Sequence, residues 1–255
     1  MLLADGSPND TEDLRAYESA ILEVAHTEMI DLNPKLALAA EEIAEDVVDF
    51  LLDHSGADPQ ASARRGLGVA DVVVTRQMKR WHAVHTLEMV YRDAFNNQLN
   101  DRYQPKFLEY RELARNAREH TFHFGVGLAL IPIPQAGAPV FSALPGPIPA
   151  TTYYARAAWV GASGQEGSPS ELTTYNASAG SVPVIEMANP PAVAVGFNVF
   201  LGLTADELEL QNGSGPVPVG QSFVLTGTGL VDGRPPGEGH AADVYVSGGR
   251  VLLRG

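Results

Sequence analysis

Along the first half of the chain, apolar residues recur every three or four positions, which is the spacing of one buried face of an α-helix. The segment "SPND" predicts where the first helix begins, with Ser7 as N-cap, Pro8 at the first helical position and Asp10 in the first turn. The apolar stripe of this helix consists of Leu14, Tyr17, Ile21 and Val24.

A second helix is predicted from Pro34, directly after Asn33, to the segment "HSGADPQ" that ends it. Its apolar stripe consists of Leu36, Ala40, Ile43, Val47 and Leu51. Its other face is acidic and carries Glu41, Glu42, Glu45, Asp46 and Asp49. This acidic face either meets a basic surface of a partner or is an ordinary solvated helix face.

Two longer helices follow. Thr75 is a candidate cap for the third, and the segment 69–74, "VADVVV", is either a short strand or the first turn of this helix. The third helix has a stripe of Met78, Trp81, Val84, Leu87, Tyr91 and Phe95. The fourth begins near Arg102, has Pro105 in its first turn, and continues through Phe107, Tyr110, Leu113 and Ala117. Short connections between long amphipathic helices predict an antiparallel bundle.

The composition changes at residue 125. Six prolines within 131–150 forbid a helix and favour an extended spacer. From 151 onward, apolar and polar residues alternate in short segments separated by Gly, Pro and Asn, which predicts strands of a sandwich. We therefore predict an α+β, multidomain fold: a helical domain (1–124), a proline-rich linker (125–150), a β-sandwich (151–246) and a C-terminal hairpin or tail (247–255) that turns at Gly248–Gly249.

Composition narrows the function classes. Hydrophobic residues make up 45% of the chain, as expected of a globular protein, and the formal net charge is −14. This charge argues against a general nucleic-acid binder and against binding to anionic membrane surfaces. The absence of cysteine excludes disulfides, cysteine-ligated zinc and thiol nucleophiles. The first residues, "MLLADGSPND", do not have the pattern of a secretory signal.

Three phrases in the second half resemble a fibronectin type III or immunoglobulin-like module. "YYARAAWVGASGQEGSPSE" resembles the last two strands of that family, "GFNVFLGLTADELELQ" its middle strands, and "SFVLTGTGL" the strand after those. In this chain the segment that resembles the final strands comes first. The β half is therefore either a permuted module or a sandwich that shares only local patterns with the family.

The segment 79–117, "KRWHAVHTLEMVYRDAFNNQLNDRYQPKFLEYRELARNA", is similar to the helical head–tail connector (adaptor) proteins of tailed bacteriophages. The resemblance implies a structural virion protein of the neck, assembled in the host cytoplasm, with no enzymatic activity, cofactor or metal. It implies a dodecameric ring of identical copies, with the portal protein and tail or nozzle proteins as partners. Such a ring encloses the DNA channel without sequence-specific binding and has no contact with a membrane.

Two sets of residues are candidate partner contacts on this hypothesis. Four aromatic residues either line the interface between ring subunits or belong to the bundle core, namely Trp81, Tyr91, Tyr103 and Tyr110. The tail "RVLLRG" either adds an edge strand to a partner's sheet or closes the chain's own sandwich. The tail residues concerned are Val251, Leu252, Leu253 and Arg254.

Three alternatives belong to other classes. Two histidine pairs with a spacing of three, His82 with His85 and His120 with His123, are either metal ligands or solvated and capping histidines. The β half could be a virion-surface module that binds a host glycan or decorates the collar, with aromatic rings stacked on sugars. The rings concerned are Tyr153, Tyr154, Trp159 and Phe200. A cell-wall hydrolase with paired carboxylates would need a cleft, for which the sequence has no specific signal.

Overall fold

Helices and antiparallel sheets are both present, which confirms the α+β part of the predicted fold class. The structure is a computed structural model, and it describes residues 1–54, 68–98, 101–225 and 229–248. The helices in these residues are α1 (Thr11–Tyr17), α2 (Ile21–Thr27), α3 (Leu32–His54), α4 (Arg76–Gln98) and α5 (Gln104–Phe124). The strands are β1 (Val72–Val73), β2 (Val126–Leu128), β3 (Val140–Pro145), β4 (Thr151–Gly161), β5 (Thr173–Ala177), β6 (Ser181–Glu186), β7 (Ala194–Gly202), β8 (Glu209–Leu210), β9 (Val217–Pro218), β10 (Phe223–Val224) and β11 (Val244–Val246).

The chain divides into two compact units, and it enters each of them twice. The sheet unit consists of Met1–Asp5 and Ile131–Ala241, and the helical unit of Gly6–Leu130 and Ala242–Gly255. The predicted division placed the first five residues with the helices and β11 with the sandwich. Both assignments differ from the structure, because Asp5 accepts a hydrogen bond from the backbone of Gln135 and β11 pairs with β2.

The first helix begins three residues later than predicted. Asp10, and not Ser7, is the N-cap, and its carboxylate accepts hydrogen bonds from the backbone N–H groups of Glu12 and Asp13. The Asp13 carboxylate accepts one from the Asp10 N–H in return, so the two residues satisfy each other as a capping box. The predicted stripe is also split between α1 and α2, and Tyr17, at the end of α1, is 45% exposed.

The helices α3, α4 and α5 follow the predicted periodicity. The α3 side chains predicted to face the core are buried, apart from the partly exposed Ala40. The backbone N–H of Met78 donates to the Thr75 hydroxyl at 3.3 Å, as expected of the predicted cap of α4. Rings of α4 and α5 pair along an antiparallel seam, with Tyr91 stacked on Tyr110 at 5.4 Å. The segment "VADVVV" is a 3-10 turn followed by β1, which joins β2 and β11 in a sheet of the helical unit.

The segment 125–150 is not a spacer, because β2 and β3 lie within it. Strand β3 pairs with β6 along its whole length, at the edge of a sheet with the order β10-β6-β3. The Gly146 N–H donates to the Gly180 carbonyl and the Leu225 N–H to the Pro183 carbonyl. This register directs the nitrogen of Pro145 toward the open edge and that of Pro183 away from β3. The prolines therefore remove no hydrogen bond between β3 and β6, and Pro145 is tolerated because β3 is an edge strand.

The sheet unit contains two antiparallel sheets that share one hydrophobic core. The second sheet has the order β5-β4-β7-β8, and β9 also pairs with β7. Its Tyr153, Trp159 and Phe197 belong to the same buried cluster as Val182 and Ile185 of β6. The tail residues Val251, Leu252, Leu253 and Arg254, and the predicted hairpin beyond Gly248, lie outside the described residues.

Candidate interaction surface

A charged groove runs over α4 between α3 and α5. The groove has a volume of about 260 Å³. We define it by its polar lining and one aromatic ring: Glu42 and Asp46 of α3, Trp81, His85 and Glu88 of α4, and Arg111, Arg115 and Arg118 of α5. One wall is therefore acidic and the other is a row of arginines, whose spacings of four and three place them on one face of α5.

His85 lies between two carboxylates from different helices. Its Nε2 is 2.8 Å from Glu42 of α3, and its Nδ1 is 3.1 Å from Glu88, one turn further along α4. A neutral imidazole has one N–H donor, so only the protonated ring donates to both carboxylates. Burial alone would lower the pKa of His85, but the hydrogen bonds and charges of Glu88 and Glu42 outweigh it and raise the pKa above its ordinary value. His85 therefore joins α3 to α4, and its protonated form is the one that donates to both carboxylates.

His82, three residues earlier, has the opposite role. The ring is fully buried, with Nε2 2.9 Å from the Leu36 carbonyl of α3 and Nδ1 3.0 Å from the Asn9 side-chain amide. These partners suit a neutral ring, in which Nε2 donates and Nδ1 accepts. Burial is the main cause that lowers the pKa of His82 to about 4.

The two histidine pairs, considered either as metal ligands or as solvated and capping residues, are not arranged to share an ion in the described residues. Both ring nitrogens of His82 and of His85 are within hydrogen-bond distance of protein groups, and the two rings face different neighbours. His120 and His123 are exposed on α5. Within the described ranges, no three metal-ligating side chains are grouped so that they could hold an ion.

One end of the groove is closed by contacts between α3 and α5. Arg118 donates from Nε and Nη2 to the two oxygens of Asp46, at 2.7 and 3.0 Å. Phe50 stacks on Phe122 at 4.5 Å, and Trp81 meets Phe122 edge-on at 5.5 Å. An exposed ion pair contributes about 0–1 kcal/mol, so the aromatic packing provides most of the stabilisation here.

The structure places Tyr103 and Tyr110 in the interior of the helical unit, which corrects the hypothesis that they are presented to a partner. Their side chains are 5% and 4% exposed, and the hydroxyls donate to Glu28 at 2.9 Å and Glu18 at 3.0 Å. Burial raises the pKa of Glu18, but the hydrogen bond and charge of Lys106 and the hydrogen bond from Tyr110 outweigh it and lower that pKa. The two tyrosines therefore fix the residues that flank α2 against α5.

The acidic segment "EEIAED" divides between two environments. Glu42 and Asp46 line the groove and are paired with His85 and Arg118. The predicted acids on the outer face of α3, Glu41, Glu45 and Asp49, are exposed and make no ion pair with any residue that the structure describes.

In the sheet unit, three of the four rings proposed to stack on sugars are buried. Tyr153, Trp159 and Phe200 are at most 3% exposed, and Tyr154 is partly exposed. The guanidinium of Arg234 covers the Phe200 ring at 5.3 Å. These three rings consequently present no face to a ligand.

The sequence reasoning missed the His85 cluster and the arginine row. The spacing of His85 and Glu88, and that of the three arginines, were readable as neighbours on single helices. The contact between Glu42 and His85 could not be predicted in this way, because it depends on how α3 packs against α4. The groove combines carboxylates, arginines and an imidazole, and its lining contains no hydroxyl or thiol, so it is suited to recognising charge.

Comparisons with protein families, with curated proteins and with solved structures give no match for this chain. Among the described helices, none has the length and apolar character needed to span a bilayer.

Proposed function

We propose that this chain is a structural adaptor of a tailed bacteriophage, which forms a homo-oligomeric ring between the portal and the tail. The observation that carries the proposal is the α4–α5 hairpin. The segment 79–117, on which the resemblance to connector proteins rests, lies largely in α4 and α5. The ring pairs between these two helices run antiparallel: Trp81 with Phe122, Tyr91 with Tyr110, and Phe95 with Phe107.

This hairpin suits a subunit that packs side by side with its copies. Aromatic pairs contribute about 0.5–1.5 kcal/mol each beyond the area they bury, so the aromatic seam makes α4 and α5 a stiff element. A ring requires such stiffness because a small change of angle in each subunit accumulates around the circle and prevents closure.

The distribution of charge supports contacts between unlike faces of neighbouring copies. The outer face of α3 carries Glu41, Glu45 and Asp49, and the groove wall on α5 carries Arg111 and Arg115. An acidic patch and a basic patch at different places on one unit favour a heterologous interface, which generates a closed ring when its rotation closes. An acidic wall toward the lumen would discourage DNA from adhering during passage.

The test is native mass spectrometry of the full chain, alone and with a candidate portal protein. We expect a single closed oligomer in the presence of the portal. Reversing the arginine wall with Arg111→Glu and Arg115→Glu should abolish it, whereas Arg15→Glu, on α1, serves as the matched control and should retain it. A chain that stays monomeric with and without portal, across the concentration range, contradicts the proposal.

A further inference from the structure

A second polar pocket lies between α4 and α5, apart from the charged groove. It has a volume of about 60 Å³ and is lined by Gln77 and Arg80 of α4 and by Asn116, Ala117 and His120 of α5. Gln77 and Arg80 are three residues apart and Asn116 and His120 four apart, so each pair lies on one face of its helix. Four polar side chains from two helices therefore converge on one small space.

The pocket is positively charged in a strongly negative protein. Its lining has an arginine and a histidine and no carboxylate, whereas the chain as a whole has a net charge of −14. Neither Arg80 nor His120 forms an ion pair with any described residue. This differs from the groove, where Arg118 is paired with Asp46 and His85 lies against two glutamates.

The side chains of the pocket are hydrogen-bond donors of the kind that oxyanions require. The guanidinium presents a planar fork that matches two oxygens, the imidazole supplies at least one N–H, and the carboxamides of Gln77 and Asn116 supply two N–H groups each. Ala117 is buried at the base of the pocket, and its small side chain leaves room between the helices. A single water needs about 10–15 Å³ of such space, so a volume of about 60 Å³ admits a small polyatomic ion.

We propose that this pocket is a binding site for a small oxyanion, a phosphate or carboxylate group held mainly by Arg80 and His120. The site does not depend on the ring proposed above, since both helices belong to one copy of the helical unit.

The test is an NMR titration of the full ¹⁵N-labelled chain with inorganic phosphate and, separately, with acetate, at constant ionic strength set with sodium chloride. We expect a saturable shift of the Arg80 side-chain N–H resonance, assigned with the variant Arg80→Gln. A hydrogen bond that involves a charged group is worth about one to two factors of ten in affinity. Phosphate affinity, followed by the backbone resonances of α4 and α5, should therefore fall about tenfold or more in Arg80→Gln and in His120→Gln. It should be unchanged in Arg15→Gln, which removes an exposed arginine of α1.

Titration with the two anions distinguishes a phosphate ligand from a carboxylate ligand. Saturation by phosphate indicates a phosphate site, and saturation by acetate alone indicates a site for a carboxylate, such as an acidic side chain; either supports the proposal. Shifts that grow in proportion to anion concentration without saturating, or that are equal at Arg80 and Arg15, overturn it. These variants keep the arginine wall of α5, so a negative result here leaves the test of ring formation unaffected.

Discussion

Acid should weaken the helical unit through His82, beginning at pH values where most carboxylates are still ionised. The folded-state pKa of His82 is about 4, against 6.5 for the free side chain, because burial disfavours the charged ring and outweighs the hydrogen bond to the Leu36 carbonyl, which raises the pKa. The unfolded chain therefore binds a proton below about pH 6.5 that the folded chain does not bind until about pH 4. Stability is complete above this window and falls as the pH decreases through it.

The size of the effect follows from the two pKa values. Over the whole window the loss is about 3 kcal/mol, and between pH 7 and pH 5 it is about 2 kcal/mol. The narrower interval is preferable because most Asp and Glu side chains remain ionised throughout it.

The assay compares urea unfolding of the wild type and of His82→Gln at pH 7 and pH 5. Glutamine can donate to one partner and accept from the other but does not titrate, so the wild type should lose about 2 kcal/mol more than the variant on acidification. Thr86→Val, which removes a buried hydroxyl one turn along α4, is the control and should lower stability equally at both pH values. If the difference between the wild type and His82→Gln is the same at pH 7 and pH 5, the buried neutral histidine is not the cause and the reasoning fails.

Three further predictions concern other parts of the structure. The pKa of His85 is raised in the folded state, so its contribution to stability is present below pH 6.5 and is lost as the pH rises through the folded-state pKa. Urea unfolding at pH 6 and pH 9 should show this loss in the wild type and not in His85→Gln. The buried amide of Asn212 accepts a hydrogen bond from the backbone of β7 at 2.8 Å and donates one to Asn198 at 2.9 Å. Asn212→Ala should therefore lower the free energy of unfolding by about 2–4 kcal/mol in chemical denaturation. An unchanged denaturation midpoint would contradict this role. A Cβ on Gly202 would collide with a backbone carbonyl, whereas one on Gly213 would meet nothing within 4 Å. Thermal unfolding should show Gly202→Ala destabilised by about 1–3 kcal/mol and Gly213→Ala nearly unchanged. Equal effects of the two substitutions would refute the collision.

The helical periodicity was sufficient to predict the long helices and their buried faces. Leu36, Ile43 and Val47 are buried as predicted, because apolar residues repeating every three to four positions lie on one face of a helix and are buried together. The alternation after residue 150 likewise predicted a strand containing Trp159, since strand side chains point alternately to the two faces. Each of these predictions depends only on residues close together in the sequence.

Proline and cap positions were less predictable, because their effect depends on hydrogen bonds made elsewhere. The prolines of 131–150 predicted a spacer, but Pro145 lies at a position of β3 whose nitrogen faces away from β6. Ser7 was predicted as the cap and Asp10 as a first-turn residue, but Asp10 is the cap, because Asp13 completes the reciprocal hydrogen bonds.

By itself, then, the sequence determined the long helices α3, α4 and α5 with their buried faces, and strands after residue 150. It did not determine the break between α1 and α2 or the strands within 125–150. Only the tertiary structure decided what those faces meet. His82 and His85 are both histidines, three positions apart on one helix. His82 is a buried ring against the Leu36 carbonyl, whereas His85 lies between the carboxylates of Glu42 and Glu88. The reason is that periodicity specifies a direction from the helix axis, whereas charge and hydrogen bonding depend on the neighbour that packing brings to that side.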